Sequence, residues 1–414
     1  MAFESGRLKS AAVVEESGLN VRVMKDGKAG VAGTTATDAP PADVVTRALA
    51  SAALGEPLAI EFPSSRSFPD VPIASAGAAS APTATLADIG RHLVERLGRP
   101  DAQINVTLER EVAETAVGNT AGGGGSYRAT GVSVSADITR VAENDVLMVY
   151  DQFVGIGLPE AADLDALVRS IQTRLELALT VVPAPSGSLP VVFTPTGLSA
   201  ILLPLEEALS GKTLVQGISP LEGRTGESVF GAELSLSDDP ALPGRPASYP
   251  FDDEGVPAKR LPLIDRGIPR NFVHDLETAA RAGGGARSTG HGHRGVFGKP
   301  WLGYSNFIVG TVSTKRTSWT LGGGLLDGIR DGLLVDDLIG VGQGNVIGGA
   351  FSHPVALAYR IQNGKITGRV KDAAVAGNVY DLLKRIGGWG DDGRWVGTRW
   401  SPSLLLDGVS VAGR

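Results

Sequence analysis

Two histidines stand two residues apart in Gly290-His291-Gly292-His293-Arg294. On an extended segment that spacing turns both imidazoles toward one side. Such a pair could hold a metal, shuttle a proton or bind a peptide carbonyl, which makes His291, His293 and Arg294 the candidate substrate contacts. The plain alternative is a glycine-rich loop with exposed histidines. Asp252-Asp253-Glu254 clusters carboxylates of the kind that hard cations prefer. Three successive strand residues point to alternating faces, however, and the Gly255-Val256-Pro257 continuation reads as a structural turn. The two stretches together admit an amide hydrolase that pairs His291 and His293 with Asp252 or Asp253.

Two other stretches look like nucleotide loops and fail on context. Residues 119–126, NTAGGGGS, lead into the strand pattern Val132-Ser133-Val134-Ser135-Ala136 and carry no Lys-Ser/Thr pair. Gly340-Val341-Gly342-Gln343-Gly344-Asn345 lacks the third glycine where a dinucleotide loop needs it, and no βαβ unit frames it. Both are expected as turns. Trp389, Trp395 and Trp400 punctuate a glycine-rich segment and read as core or interface packing.

Composition narrows the classes. The chain has 414 residues, enough for two or three domains with cores, and a net charge of −7 without a Lys/Arg cluster. A large nucleic-acid footprint is not expected. There is no cysteine, which excludes disulfides, zinc-thiolate sites and a thiol nucleophile. The opening MAFESGRLKS has no apolar signal core and no run approaches a membrane span, so a cytoplasmic protein without a membrane partner is expected. The 56 glycines, about twice the ordinary share, fit many tight turns between short strands.

The elements that must position these residues follow from periodicity. Asn20 to Met24, Lys25-Asp26-Gly27-Lys28 and Ala29 to Thr34 spell a hairpin. Pro40-Pro41 opens a helix with a stripe of Val44, Val45, Ala48, Leu49 and Ala52. Pro57 to Phe62 reads as a short strand, and residues 64–82 as a long connection. A helix through Leu86, Ile89, Leu93 and Leu97 precedes strands at Ile104–Leu108, Val132–Ala136 and Asp145–Tyr150. A long helix then runs from Leu164 to near Val182. Pro183 to Ser188 is the best linker, placing an N-terminal α+β domain at 1–185 and a β-rich domain at 189–414.

The second domain opens on Val191-Val192-Phe193, a buried strand, followed by Thr194 as N-cap and Pro195 at the first helical position. Leu198, Ile201, Leu202, Leu205, Ala208 and Leu209 form one apolar face, with Gly211 as the stop and a kink expected at Pro204. Strands are expected at Leu261–Ile264, Asn306–Val312, Ala356–Ile361, Lys365–Lys371 and Leu404–Val411, with a turn at Asn363-Gly364 and a short helix over Val379–Ile386. The fold class is α+β, its second half mainly antiparallel and barrel-like with few helices.

Several second-half segments, in this order and spacing, resemble the TldD/PmbA family, and within it the TldE (PmbA) branch. They are the 252–257 stretch, Ser288-Thr289-Gly290-His291, Gly348-Gly349-Ala350-Phe351-Ser352, the run from Ala358 to Ile366 with Val370-Lys371, and Ser401 to Gly413. The first half is similar more loosely, entering at the Phe3–Lys9 strand. The resemblance implies a heterodimer in which a TldD-type subunit is a zinc peptidase with H-E-x-x-x-H on a helix after an apolar strand, plus a cysteine ligand. Laid on this chain through Pro190-Val191-Val192, the two His positions fall on Leu203 and Ala208 and the Glu position on Pro204. It therefore implies a non-catalytic partner with no metal of its own, the zinc residing in a TldD-type subunit, and an extended peptide as the shared substrate. A stand-alone peptide-binding homodimer and the His291/His293 hydrolase remain the alternatives. The family's older label of gyrase modulator finds little support in an acidic chain.

Overall fold

The computed structural model describes residues 1–36, 38–143, 145–312 and 320–413. Strands β1 (Ala2–Glu4) and β2 (Arg7–Ser10) form a small hairpin. The Asp26-Gly27 turn joins β3 (Leu19–Lys25) to β4 (Lys28–Thr34) in unbroken register from Leu19↔Thr34 to Lys25↔Lys28. Asp26 at φ 51° and Gly27 at φ 71° supply the left-handed pair whose twist matches the strands. Helix α1 (Pro41–Ala53) starts on its proline, where a missing N–H costs nothing. Val44, Ala48 and Ala52 are its buried stripe, while Val45 faces outward and Leu49 is half-buried. Pro57 to Phe62 is not a strand: it holds a single bridge, Lys28↔Pro57, because Pro57 and the following Pro63 have no amide to build a ladder.

Helix α2 (Ala76–Ser80) interrupts the long connection, capped by Ser75. Helix α3 (Thr83–Leu97) buries Leu86, Leu93 and Leu97. A meander of β5 (Gln103–Gly118), β6 (Gly124–Ala142) and β7 (Asp145–Gly155) completes a sheet of order β2-β1-β5-β6-β7. The β5–β6 ladder is far longer than the alternation at 104–108 implies, running from Gln103↔Thr139 to Gly118↔Gly124. Its distal half lacks apolar contrast, and Val112 there is exposed. The 119–126 loop is the turn of this hairpin, as expected. Helix α4 (Ala161–Ala178) has a Glu160/Asp163 capping box and ends at Ala178, short of Val182.

Residues 183–186 carry the chain into β8 (Gly187–Phe193). Helix α5 (Ser199–Ala208) begins four residues later than a Thr194 cap would place it. Thr194 instead closes a preceding turn, accepting from the Gly197 N–H at 3.3 Å while its hydroxyl donates to Asp336 at 2.8 Å. Helix α5 continues through Pro204, and Gly211 opens α6 (Gly211–Val215) rather than ending α5. Strands β9 (Leu236–Asp238), β10 (Leu261–Asp265) and β11 (Ile268–Pro269) precede helix α7 (Leu276–Ala282), the short pair β12 (Gly292–His293) and β13 (Trp301–Leu302), and β14 (Phe307–Val309). Then come β15 (Asp331–Leu338), β16 (Ala350–Gln362), β17 (Lys365–Val370) and β18 (Ala373–Asn378). Helix α8 (Val379–Leu382) is shorter than expected, since Ile386 already belongs to β19 (Ile386–Trp389). Strands β20 (Arg394–Val396), β21 (Arg399–Ser401) and β22 (Leu404–Gly413) follow. The Gly340–Asn345 stretch is the β15–β16 connection, with positive φ at Gly340, Gly342 and Gly344.

Strands β15-β8-β22-β18-β16 form a barrel closed by β15–β16 pairing. Only β8–β15 is parallel among these pairs. Beside it lies a sheet of order β11-β10-β9-β14-β21-β20. The α+β class with a barrel-like second half therefore holds. Strand β8 shows why Val191-Val192-Phe193 is continuously apolar. Val191 and Phe193 enter a core with α5, while Val192 faces the opposite cluster with α4 and the β5–β7 sheet.

Candidate functional site

The 251–257 stretch is a closed turn, bridged Phe251↔Pro257, with Gly255 at φ 84°. Its carboxylates diverge, as the turn reading requires. Asp252 accepts from the backbone N–H groups of Glu254 (3.0 Å), Val256 (2.8 Å) and Gly292 (2.8 Å). Burial and the adjacent Glu254 carboxylate push Asp252 up to about 8, against those three donors. Asp253 accepts from the Arg294 N–H at 2.8 Å. Glu254 reaches away to the Arg22 guanidinium of β3 at 2.5 Å and the Leu276 N–H of α7 at 2.7 Å, both partners of that ion pair being nearly inaccessible. Burial raises the Glu254 carboxyl, while Leu276 and Arg22 oppose the shift.

The two histidines do not share one cavity. His291 is 0% exposed and engaged at both nitrogens, with Asp238 on β9 at 2.9 Å and with the Thr289 hydroxyl at 2.9 Å. Asp238 is saturated in turn by the Ser305 N–H and hydroxyl. Because a carboxylate only accepts, Nε2 of His291 donates to Asp238, while the Thr289 hydroxyl beside Nδ1 also donates to the His274 carbonyl at 3.0 Å. His293 sits in β12 with its ring edge-on to Tyr249 (5.8 Å) and stacked near Trp301 (6.1 Å), 4.0 Å from Asp253. Burial lowers its pKa, opposed by Asp253. Arg294 binds the backbone and side chain of Asn20. Gly292 between them is obligatory: a Cβ there would lie 2.4 Å from the Glu254 carboxylate. These residues fasten the β3–β4 hairpin to the second half of the chain. Of the two histidines, His293 is the one that keeps a half-open face beside a potential proton acceptor.

Helix α5 is packed as core. Ala208 is 0% exposed, Pro204 is buried, and Leu203 is half-buried against Gly342. The helix is pinned from outside by residues that periodicity did not single out. Glu206, buried, makes a bidentate pair with Arg399 (2.5 and 2.7 Å), and its backbone carbonyl accepts from the Tyr304 hydroxyl at 2.6 Å. The Tyr380 hydroxyl lies 2.8 Å from the Ile347 carbonyl and 3.2 Å from that of Pro204. A carboxylate amid an apolar helical face was the available signal for Glu206. A second missed group is Arg174 of α4, which joins Asp336 of β15 (3.0 Å) and Asp151 of β7 (3.3 Å) beneath the barrel.

Comparison with known proteins meets this geometry from outside. Residues 186–413 match the model of the PmbA/TldA metallopeptidase C-terminal domain, and residues 1–53 that of PmbA/TldA metallopeptidase domain 1. A metalloprotease of Methanothermobacter thermautotrophicus is 30% identical over 244 residues, 58% of this chain and 51% of that protein. A metalloprotease PmbA homolog of Haemophilus influenzae is 30% identical over 224 residues, 54% of this chain and 46% of that protein. The chain spans about half the length of the curated relatives it matches. Its fold is that of the crystal structure of TldE from Thermococcus kodakarensis, with a TM-score of 0.86, 24% identity, and coverage of 100% of this chain and 93% of that one. The name metallopeptidase implies a metal. Zinc takes imidazole, carboxylate or thiolate donors; α5 carries Leu203, Pro204 and Ala208 together with two carboxylates, Glu206, which is paired with Arg399, and Glu207. No three His, Cys, Asp or Glu side chains group to hold an ion among the described residues. With the C-terminal model matched over more than half its length, the chain belongs to the TldD/PmbA family.

Proposed function

We propose that this chain is a TldE/PmbA-type partner subunit of a heterodimeric zinc metallopeptidase in the cytoplasm. The zinc and the hydrolytic chemistry would reside in a TldD-type subunit. The observation that carries this reading is the packing of α5, where the positions aligned with the zinc motif are Leu203, half-buried, Pro204, buried, and Ala208, part of the core. The likeness in fold to TldE supports the same assignment. The substrate would be an unstructured peptide, entering extended and bound largely through its backbone, as in strand addition. The proposed contribution of this chain is to build one wall of the enclosure and orient the peptide. The test is co-expression with a TldD-type chain carrying H-E-x-x-x-H. The pair should co-elute and cleave an unstructured peptide that neither chain cleaves alone. Failure to associate with any such chain, or peptidase activity in the isolated protein, would refute the reading. His291, sealed against Asp238 with no accessible surface, gives the stand-alone hydrolase little support.

A further inference from the structure

A cleft opens away from the histidine loop. It lies where β14, β19 and β21 end, has a volume of about 420 Å³, and is walled by Trp389, Trp400, Val309 and Pro402. That size falls among small-molecule sites, roughly 300–1,000 Å³. Gly310 stands at its edge at φ 71°, and a Cβ there would touch nothing within 4 Å, so the backbone itself leaves space. No Lys, Arg or His lines the cleft among the described residues, but Glu233 and Asp391 do. The Glu233 side chain is exposed and in no ion pair among the described residues, and its backbone carbonyl accepts the Trp389 indole N–H at 3.1 Å. With its only donor satisfied there, Trp389 has its ring left as its recognition surface.

An aromatic wall beside a carboxylate selects a cation, because the electron-rich ring face and the anion attract the same charge. Among side chains, arginine fits best, since its planar guanidinium stacks on indole and forks onto a carboxylate. The same corner contains an internal example. Arg245 lies 4.0 Å over the ring of Trp395, which packs 5.6 Å from Trp400. We infer that this cleft binds the arginine side chain of a peptide, the guanidinium lying against Trp389 and paired with Glu233. Taking the source of that side chain to be a peptide rests on the proposed function; the recognition chemistry does not.

The test uses the isolated full chain, with its tryptophan fluorescence as the readout. Titration with N-acetyl-arginine amide should give a saturable change at millimolar concentration, and N-acetyl-citrulline amide, the uncharged isostere, should give none. Glu233→Gln should weaken arginine binding about tenfold without lowering the melting temperature, because the side chain is exposed. Trp389→Leu should remove both the signal and, by calorimetry, the binding. An equal response to citrulline, or unchanged affinity in Glu233→Gln, would overturn the inference. Since no TldD-type chain is present, loss of arginine binding is distinguishable from failure of heterodimer assembly.

Discussion

Replacing Arg174 by methionine keeps the side-chain volume and removes a charge that is 3% exposed. The guanidinium holds Asp336 at 3.0 Å and Asp151 at 3.3 Å, and donates to the Tyr150 carbonyl at 2.6 Å. Burial pushes the Asp151 carboxyl up, yet Arg394 and Arg174 together hold it below its ordinary value. In the variant Asp151 retains Arg394, but Asp336 keeps only the Thr194 hydroxyl among these polar partners. Orphaning one member of a buried pair costs about 3–5 kcal/mol. Unfolding entropy is about 2.1 cal/mol/K per residue, or roughly 0.9 kcal/mol/K for a chain this long, so the midpoint should fall by about 3–6 °C. Calorimetry of Arg174→Met, of Asp336→Asn and of the double variant completes the assay. Removing the orphaned charge should make the double variant more stable than Arg174→Met alone. A single variant within 1 °C of the parent, or a double variant worse than both, would refute this account of the network.

Other consequences are more local. Arg22→Met should strip the β3–β4 hairpin from the Glu254 turn, so amides at 19–34 should lose hydrogen-exchange protection while those of β8 and β15 keep theirs; uniform loss would contradict a local role. Ala208→His forces an imidazole into a position with no accessible surface and should cost about 1–3 kcal/mol or more, read as a lowered denaturation midpoint; a neutral outcome would mean that α5 is not core there. Burial holds the pKa of His274 below its ordinary value, against Asp275. Between that lowered value and about 6.5 the unfolded chain binds the extra proton, so this contribution is complete above pH 6.5 and is lost as pH falls. His274→Asn should therefore flatten the decline of melting temperature between pH 7.5 and 5, and a slope matching the parent would dismiss the assignment.

What could be read in advance was whatever depends on neighbours in sequence. Asp26-Gly27 and Asn363-Gly364 announce their hairpins because the left-handed conformation is local chemistry. The run of Val191 to Phe193 announced burial on both faces. The start of α5 was misjudged because Thr194 had two offers, an N-cap and a buried carboxylate 142 positions away, and the distant one helped shape a separate turn. The 252–257 turn was legible from Gly255 and Pro257, but its purpose was not, since Arg22 lies 232 positions from Glu254. His291 looked reactive for its spacing, while the Asp238 that encloses it comes from a strand of three residues with no periodic signal. Glu206 and Arg399, likewise, meet across 193 positions of sequence.

The barrel also imposes an order of events. Strand β8 lies between β15 and β22, so the first barrel strand in sequence bonds to residues 331–338 on one side and 404–413 on the other. During synthesis at about 5–20 residues per second, its hydrogen-bonding backbone edges have no native strand neighbour for roughly ten seconds or more after it emerges. Helices α4 and α5 can cover its side chains in that interval, but they offer no strand to its edges, and pairings of such sequence separation form slowly. Yield of soluble protein should thus depend on holdase chaperones engaging a nascent chain of intermediate length, and a ribosome stalled before Leu404 would present a sticky, unclosed sheet to its neighbours.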